Sequence, residues 1–241
     1  MKLNKLSALL AASTLLVASS VMAWESEDGQ HSTSASVALS TDYVWRGYSQ
    51  TDNDPAISGS FDYTHSSGFY LGTWASNVDF GDDASVEIDL YAGFGGDIGD
   101  SGFSYDLGVL RYYYDGENYD WNEYHVSAGY SFFSASINYS NNVYDSNEKG
   151  IYYTLGFDYD LPMDIALSAG VGFYDYDKNA ISTKSENHTD YHIGISKEFA
   201  GFGWDLTYTA MDNDGEDFYS TKNGGRDQGD NRFVFTISKS M

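Results

Sequence analysis

A repeated period of two constrains this chain more than any other feature. "IYYTLGFDYD" places Ile151, Tyr153, Leu155, Phe157 and Tyr159 on one face, with Thr154, Gly156, Asp158 and Asp160 opposite. "VEIDLYAGF", "IALSAGVGFY" and "FGWDLTYTA" repeat the pattern from Val86, Ile165 and Phe202. Successive side chains on a β-strand point to opposite faces, so each segment reads as a strand with one apolar and one polar face. The polar faces are rich in glycine and serine, which suits an interior that bulk must not fill.

Walking the chain this way gives twelve strands: 35–48, 56–65, 69–78, 85–95, 102–114, 121–130, 132–141, 149–160, 164–175, 188–197, 202–211 and 231–240. In 69–78 either parity could be the apolar face. In 102–114 the phase breaks at Leu110-Arg111, which reads as a bulge. Most segments match the ~9–11 residues of a tilted transmembrane strand rather than the ~5–6 of an ordinary one. The connections alternate as well. "SSG", "GDIGD", "LPM" and "EFAG" are short, whereas "SQTDNDP", "DFGDDA", "DGENYD", "YDSNEK" and "DNDGEDFYSTKNGGRDQGD" are longer and acidic. Short turns at one end and long loops at the other, with both termini beside the short turns, describe an outer-membrane barrel. A soluble sandwich has no reason to alternate its loops. The expected fold is therefore all-β, a transmembrane antiparallel up-and-down β-barrel of about twelve strands.

The N-terminus agrees with export. Lys2 and Lys5 precede an apolar run from Leu6 to Val17, and Val21-Met22-Ala23 offers a small-residue cleavage site. Residues 1–23 read as a cleaved signal peptide, 24–34 as a periplasmic tail and 35–241 as the barrel. The run is too short to span a bilayer as a helix. The chain has no cysteine, which excludes disulfides and thiolate chemistry. Its formal charge of −24 makes nucleic acid an implausible partner. The partners such a barrel implies are outer-membrane lipid and lipopolysaccharide, with the barrel-assembly machinery and periplasmic chaperones during export. Acidic loops add divalent cations as candidate ligands. No cofactor is expected.

"STDYVWRGYSQ", Ser40 to Gln50, sets Tyr43 and Trp45 on the apolar parity and Asp42 and Arg46 on the other. An arginine at the bilayer midplane costs about 2–4 kcal/mol, so Arg46 is expected inside, beside Asp42 or an acid on a neighbouring strand. Tyr43, Trp45, Phe61, Tyr63, Tyr130, Phe133, Tyr139, Tyr159, Phe173, Phe202 and Trp204 are read as interfacial aromatic girdles. The lumen parity collects Asp42, Asp62, Glu87, Asp89, Asp106, Glu123, Asp158, Asp190 and Asp205, against Arg46 and Arg232 with His125 and His192. Acidic rings in a pore favour cations.

Catalytic and metal motifs are thin. His125 and Ser127 share a face, as in a hydrolase site, but no G-x-S-x-G elbow accompanies them. His188, Asp190 and His192 also share a face, which is a low-grade metal motif. "DNDGED", Asp212 to Asp217, fails the EF-hand spacing because its glycine falls fourth rather than sixth.

"LSTDYVWRGYSQTDNDPAISGSFDY", followed by "GFYLGTWASNVDF" and "EIDLYAGF", resembles the Gcw_chp family of proteobacterial proteins, also known as TorF-family porins. The similarity covers nearly all of the chain beyond the signal, and D-Y-x-x-R-G is its most specific run. The resemblance implies a porin-like outer-membrane barrel and carries over no substrate or site residue. "RFVFTISKSM" departs from the usual outer-membrane pattern by ending in Met241 rather than an aromatic. The leading expectation is a passive channel for small cationic or neutral solutes. A non-conducting structural or adhesive barrel is the alternative, and an outer-membrane hydrolase the third.

Overall fold

In a computed structural model, which describes residues 24–177, 187–219 and 227–241, the chain is nearly all strand. The proposed signal peptide lies outside the described residues, as does most of the "DYDKNAISTKSEN" loop. In chain order the strands are β1 Trp24–Glu25, β2 His31–Ser40, β3 Val44–Trp45, β4 Tyr48–Ser49, β5 Ala56–His65, β6 Phe69–Asn77, β7 Val86–Asp97 and β8 Phe103–Tyr114. They continue as β9 Trp121–Tyr130, β10 Phe133–Ser140, β11 Gly150–Leu161, β12 Ile165–Tyr176, β13 His188–Phe199, β14 Phe202–Met211 and β15 Arg232–Ser240. A short helix, α1 Asn213–Tyr219, follows β14.

Each strand from β5 to β15 pairs antiparallel with the next, and β2 pairs with both β15 and β5, which closes a twelve-strand barrel. β1 is an extra strand outside it. It covers Ser32 and Thr33, the part of β2 that β15 does not reach. Closure leaves no long sheet edge unpaired, as a lipid environment requires. β15 pairs on both sides despite the chain ending in Met241. The turns 66–68, 98–102, 131–132, 162–164 and 200–201 lie at one end with the start of β2 and the end of β15, and the long loops lie at the other.

Burial is inverted relative to a soluble protein. Leu155 is 63% exposed and Phe233 68%, whereas Tyr152 and Tyr174 are 1% exposed. Apolar side chains on the outer parity of every barrel strand make a continuous belt, which in water would be an outsized apolar patch. The fold is that of a transmembrane β-barrel.

Three expectations change. The first barrel strand is His31–Ser40, beginning four residues before 35 and ending eight before 48. Beyond it, residues 41–55 turn into the lumen instead of crossing the membrane, so Tyr43 and Trp45 are buried inside and belong to no girdle. Strand 69–78 turns Tyr70, Gly72, Trp74 and Ser76 inward. β8 carries no bulge, because its register with β9 runs one-to-one from Phe103 to Tyr112. Arg111 simply faces outward near the long-loop end, where Asp120 pairs with it at 3.0 Å. That position is at the rim rather than the midplane, where an outward charge costs little.

Candidate functional site

The site is the lumen, and its most unusual part is the hairpin β3–β4. Two residue pairs, Val44–Ser49 and Trp45–Tyr48, are joined by Arg46 and Gly47, both at positive φ (47° and 92°). A two-residue turn with both φ positive matches strand twist. A Cβ on Gly47 would stand 2.8 Å from the Asp190 Cβ, so a bare backbone is required there. The turn drives Arg46 across the barrel, where Nη2 donates to both oxygens of Glu123 on β9 at 2.7 and 2.6 Å. The same guanidinium lies 4.2, 4.1 and 4.7 Å from the ring centroids of Trp45, Tyr152 and Tyr174. Its partner is therefore neither Asp42 nor an acid beside it on the sheet, because the hairpin leaves the wall and reaches the far side.

Asp42 anchors the hairpin's base. It accepts from Arg232 Nη1 at 2.7 Å, from Ser49 Oγ at 2.6 Å and from Thr51 Oγ1 at 2.9 Å. Two further loops close over the hairpin. Tyr48 stacks on Tyr219 of α1 at 3.9 Å, and its hydroxyl lies 3.0 Å from that of Tyr144. Asp212 starts α1 by accepting from the Gly215 amide at 3.0 Å, so the start of "DNDGED" caps a helix. The long-loop half of the lumen is thus packed with Tyr43, Trp45, Tyr48, Trp74, Tyr112 and Trp121.

The short-turn half is built differently. Asp62 on β5, Asp106 on β8, Asp158 on β11 and Asp205 on β14 all point inward, each three residues from its strand's short-turn end. These strands stand three apart around a barrel of twelve, so the four carboxylates form an evenly spaced ring. Hydroxyls orient it. Asp62 accepts from Tyr91 and from Ser60 Oγ, and Thr207 Oγ1 donates to Asp205 at 2.9 Å. Tyr70 donates to Asp106 at 3.0 Å, and His125 Nε2 lies 2.5 Å from the same oxygen. Among the described residues no lysine or arginine pairs with this ring.

Glycine keeps this half from filling. Tyr91 lies flat over Gly72, where an added Cβ would meet its ring at 2.6 Å. Tyr70 lies over Gly93, His125 over Gly108, Asp106 over Gly95 and His192 over Gly170. Each long polar side chain rests on a glycine of the adjacent strand and so runs along the wall instead of across the lumen.

The remaining residues sit in the upper wall. Glu87 and Asp89 point inward from β7, and Asp190 accepts from Tyr152 Oη at 2.8 Å. His188 directs Nε2 to the Arg46 carbonyl at 3.3 Å, away from a ligand set with His192. Among the described residues no three of His, Asp and Glu converge as a metal group. Ser127 Oγ makes no hydrogen bond, and His125 turns to Asp106, so serine and histidine are not joined. Sequence reasoning missed the inward tyrosines and tryptophans. Their signal is position: Trp74, Tyr112, Trp121, Tyr152 and Tyr174 lie on the inward parity, towards the long-loop ends.

Comparison with known proteins agrees with this geometry. The family model Gcw_chp, described as a bacterial protein of unknown function, matches residues 25–241. The KdgM porin is similar in fold, with a TM-score of 0.53 and 11% identity over 86% of this chain and 99% of that one. The NanC porin gives 0.55 and 10% over 86% and 97%. At such identities the likeness concerns fold alone. No curated protein matches the chain. The chain belongs to the Gcw_chp family and has the fold of an outer-membrane porin barrel.

Proposed function

We propose that this protein is an outer-membrane channel of a Gram-negative bacterium, exported with a cleaved signal peptide, which passes small cationic or neutral solutes. The observation that carries the reading is the ring of Asp62, Asp106, Asp158 and Asp205. Fixed carboxylates around a confined aqueous passage raise the local cation concentration, and salt screens the effect. Arg46 and Arg232 do not offset it, since each is bound to its own acid. The hairpin then acts as a constriction above an acidic vestibule. Lipid and lipopolysaccharide surround the belt, and divalent cations at the acidic loops would bridge to lipid phosphates.

A non-conducting structural or adhesive barrel is the second reading, favoured by the packing of hairpin, α1 and Tyr144 across the long-loop half. Planar-bilayer recording of the folded protein separates the two. Discrete conductance steps support the channel, and their absence from a demonstrably inserted barrel supports the structural reading.

A further inference from the structure

The closed half of the lumen buries more negative charge than its arginines offset. Among the described residues of this half Asp42, Glu87, Asp89, Glu123 and Asp190 are all buried. Arg232 is bound to Asp42, and Arg46 to Glu123. Glu87 and Asp89 enter no salt bridge among the described residues. They are next to each other on the inward face of β7, and Asp89 feels the charge of both Glu87 and Glu123. Glu87 Oε1 accepts from Tyr43 Oη at 3.0 Å. Glu87 Oε2 and Asp89 Oδ1 are buried and make no hydrogen bond, although Glu87 is 1% and Asp89 8% exposed. Buried carboxylate oxygens without a donor are costly enough that a protein normally pairs or neutralises them.

Their surroundings are aromatic. The sheet register places Asp89 between Trp74 on β6 and Tyr112 on β8, and Glu87 between Ser76 and Tyr114. Tyr43 of the inward loop covers them, edge-on to Trp74 at 5.1 Å. The same lumen already displays what this chemistry holds: the Arg46 guanidinium rests on three ring faces and one carboxylate. Ring faces and carboxylates recur at Glu87 and Asp89, with two acids instead of one.

We infer that Glu87 and Asp89, with Trp74, Tyr43, Tyr112 and Tyr114, form a binding site for a compact organic monocation with a guanidinium or primary ammonium head. Two carboxylates accept its N–H donors, and the rings face its weakly hydrated surface. A hard divalent ion would want six or more oxygens, and no three acids or histidines converge here among the described residues. The inference deepens the cation-channel reading by naming its solute class, and its test is independent of conduction.

The test uses detergent-folded full-length protein, titrated with methylguanidinium against sodium at constant ionic strength. Intrinsic tryptophan fluorescence and thermal unfolding are the readouts. Saturable binding in the millimolar range is expected, weakened at least tenfold in Glu87→Gln/Asp89→Asn and unchanged in Asp100→Asn, at an exposed carboxylate of the 98–102 turn. The single variant Asp89→Asn gives the same direction should the double variant fold poorly. Three results overturn the inference: no saturation, equal weakening by Asp100→Asn, or potassium or calcium binding as tightly as methylguanidinium. A barrel that conducts cations yet shows no saturable binding overturns the binding site and leaves the channel. A barrel that binds and never conducts does the reverse.

Discussion

Replacing Arg46 with alanine should open the long-loop half without unfolding the barrel. The hairpin β3–β4 forms only two residue pairs of its own and none with the wall ladder, so its closed position depends on side-chain anchors and on one backbone bond, from the Ser49 amide to the Gln228 carbonyl at 2.9 Å. Arg46 is the deepest of them, with two hydrogen bonds to Glu123 and three ring contacts. Removing one partner of a buried ion pair costs about 3–5 kcal/mol, much of it from the charge left behind. At about 1.4 kcal/mol per factor of ten, that shifts the open-to-closed ratio of the hairpin by roughly two to four orders of magnitude. Asp42–Arg232 and the Tyr48–Tyr219 stack still hold the hairpin's base and rim, so the loop loosens rather than leaves. Single-channel recording should show a longer open dwell and greater cation selectivity, because Glu123 is released into the pathway. Alanine at both Arg46 and Glu123 should lose the added selectivity and shorten the open dwell back towards the wild type, because no uncompensated charge is left in the closed state. An Arg46→Ala barrel that is folded, inserted and electrically identical to the wild type would refute the latch.

Gly72→Ala should tilt Tyr91 off the wall and lower conductance while leaving the barrel folded, measured by single-channel amplitude and by heat-modifiable gel mobility; unchanged amplitude would contradict the glycine-shelf reading. Asp115, the first residue after β8, accepts from the Ser85 and Val86 amides at 2.8 and 2.7 Å and from Ser85 Oγ at 2.9 Å, which holds its carboxyl below its ordinary value of 3.8. A lowered folded value contributes order that is present above the ordinary range and lost as pH falls through the folded one. Exchange protection of those two amides should therefore persist at pH 5 and vanish only in stronger acid; loss near neutral pH would contradict the clamp. Cysteine at Lys149 should react with an impermeant maleimide on whole cells, and cysteine at Pro162 should not; the opposite pattern would invert the topology.

Eleven of the twelve barrel strands were legible to within two residues at each end, because apolar residues alternate with small or acidic ones from Tyr153 to Asp160 and in the other segments like it. The first strand was misread for the same reason. Tyr43 and Trp45 continue the parity of Val37 and Leu39, and period alone cannot tell a lipid-facing strand from a chain that folds inward with the same alternation. The available clue was Arg46-Gly47, a turn dipeptide in the middle of an apparent strand. The phase break at Leu110-Arg111 was read as a bulge because an outward arginine looked out of place on a strand, although position along the strand decides its cost as much as parity does. The Arg46–Glu123 pair spans 77 positions and joins a loop to the far wall, so no local pattern could reveal it. The four-aspartate ring was visible only as four scattered acids, since its even spacing depends on which strands close the barrel.

The reversal potential of the wild-type channel across a tenfold potassium chloride gradient tests the central claim most directly. A pore governed by Asp62, Asp106, Asp158 and Asp205 should reverse with the sign of cation preference, approaching the limit of about 59 mV for a monovalent ion at low salt and falling as salt rises. Reversal with the anion sign, or a value that ignores ionic strength, would contradict the account.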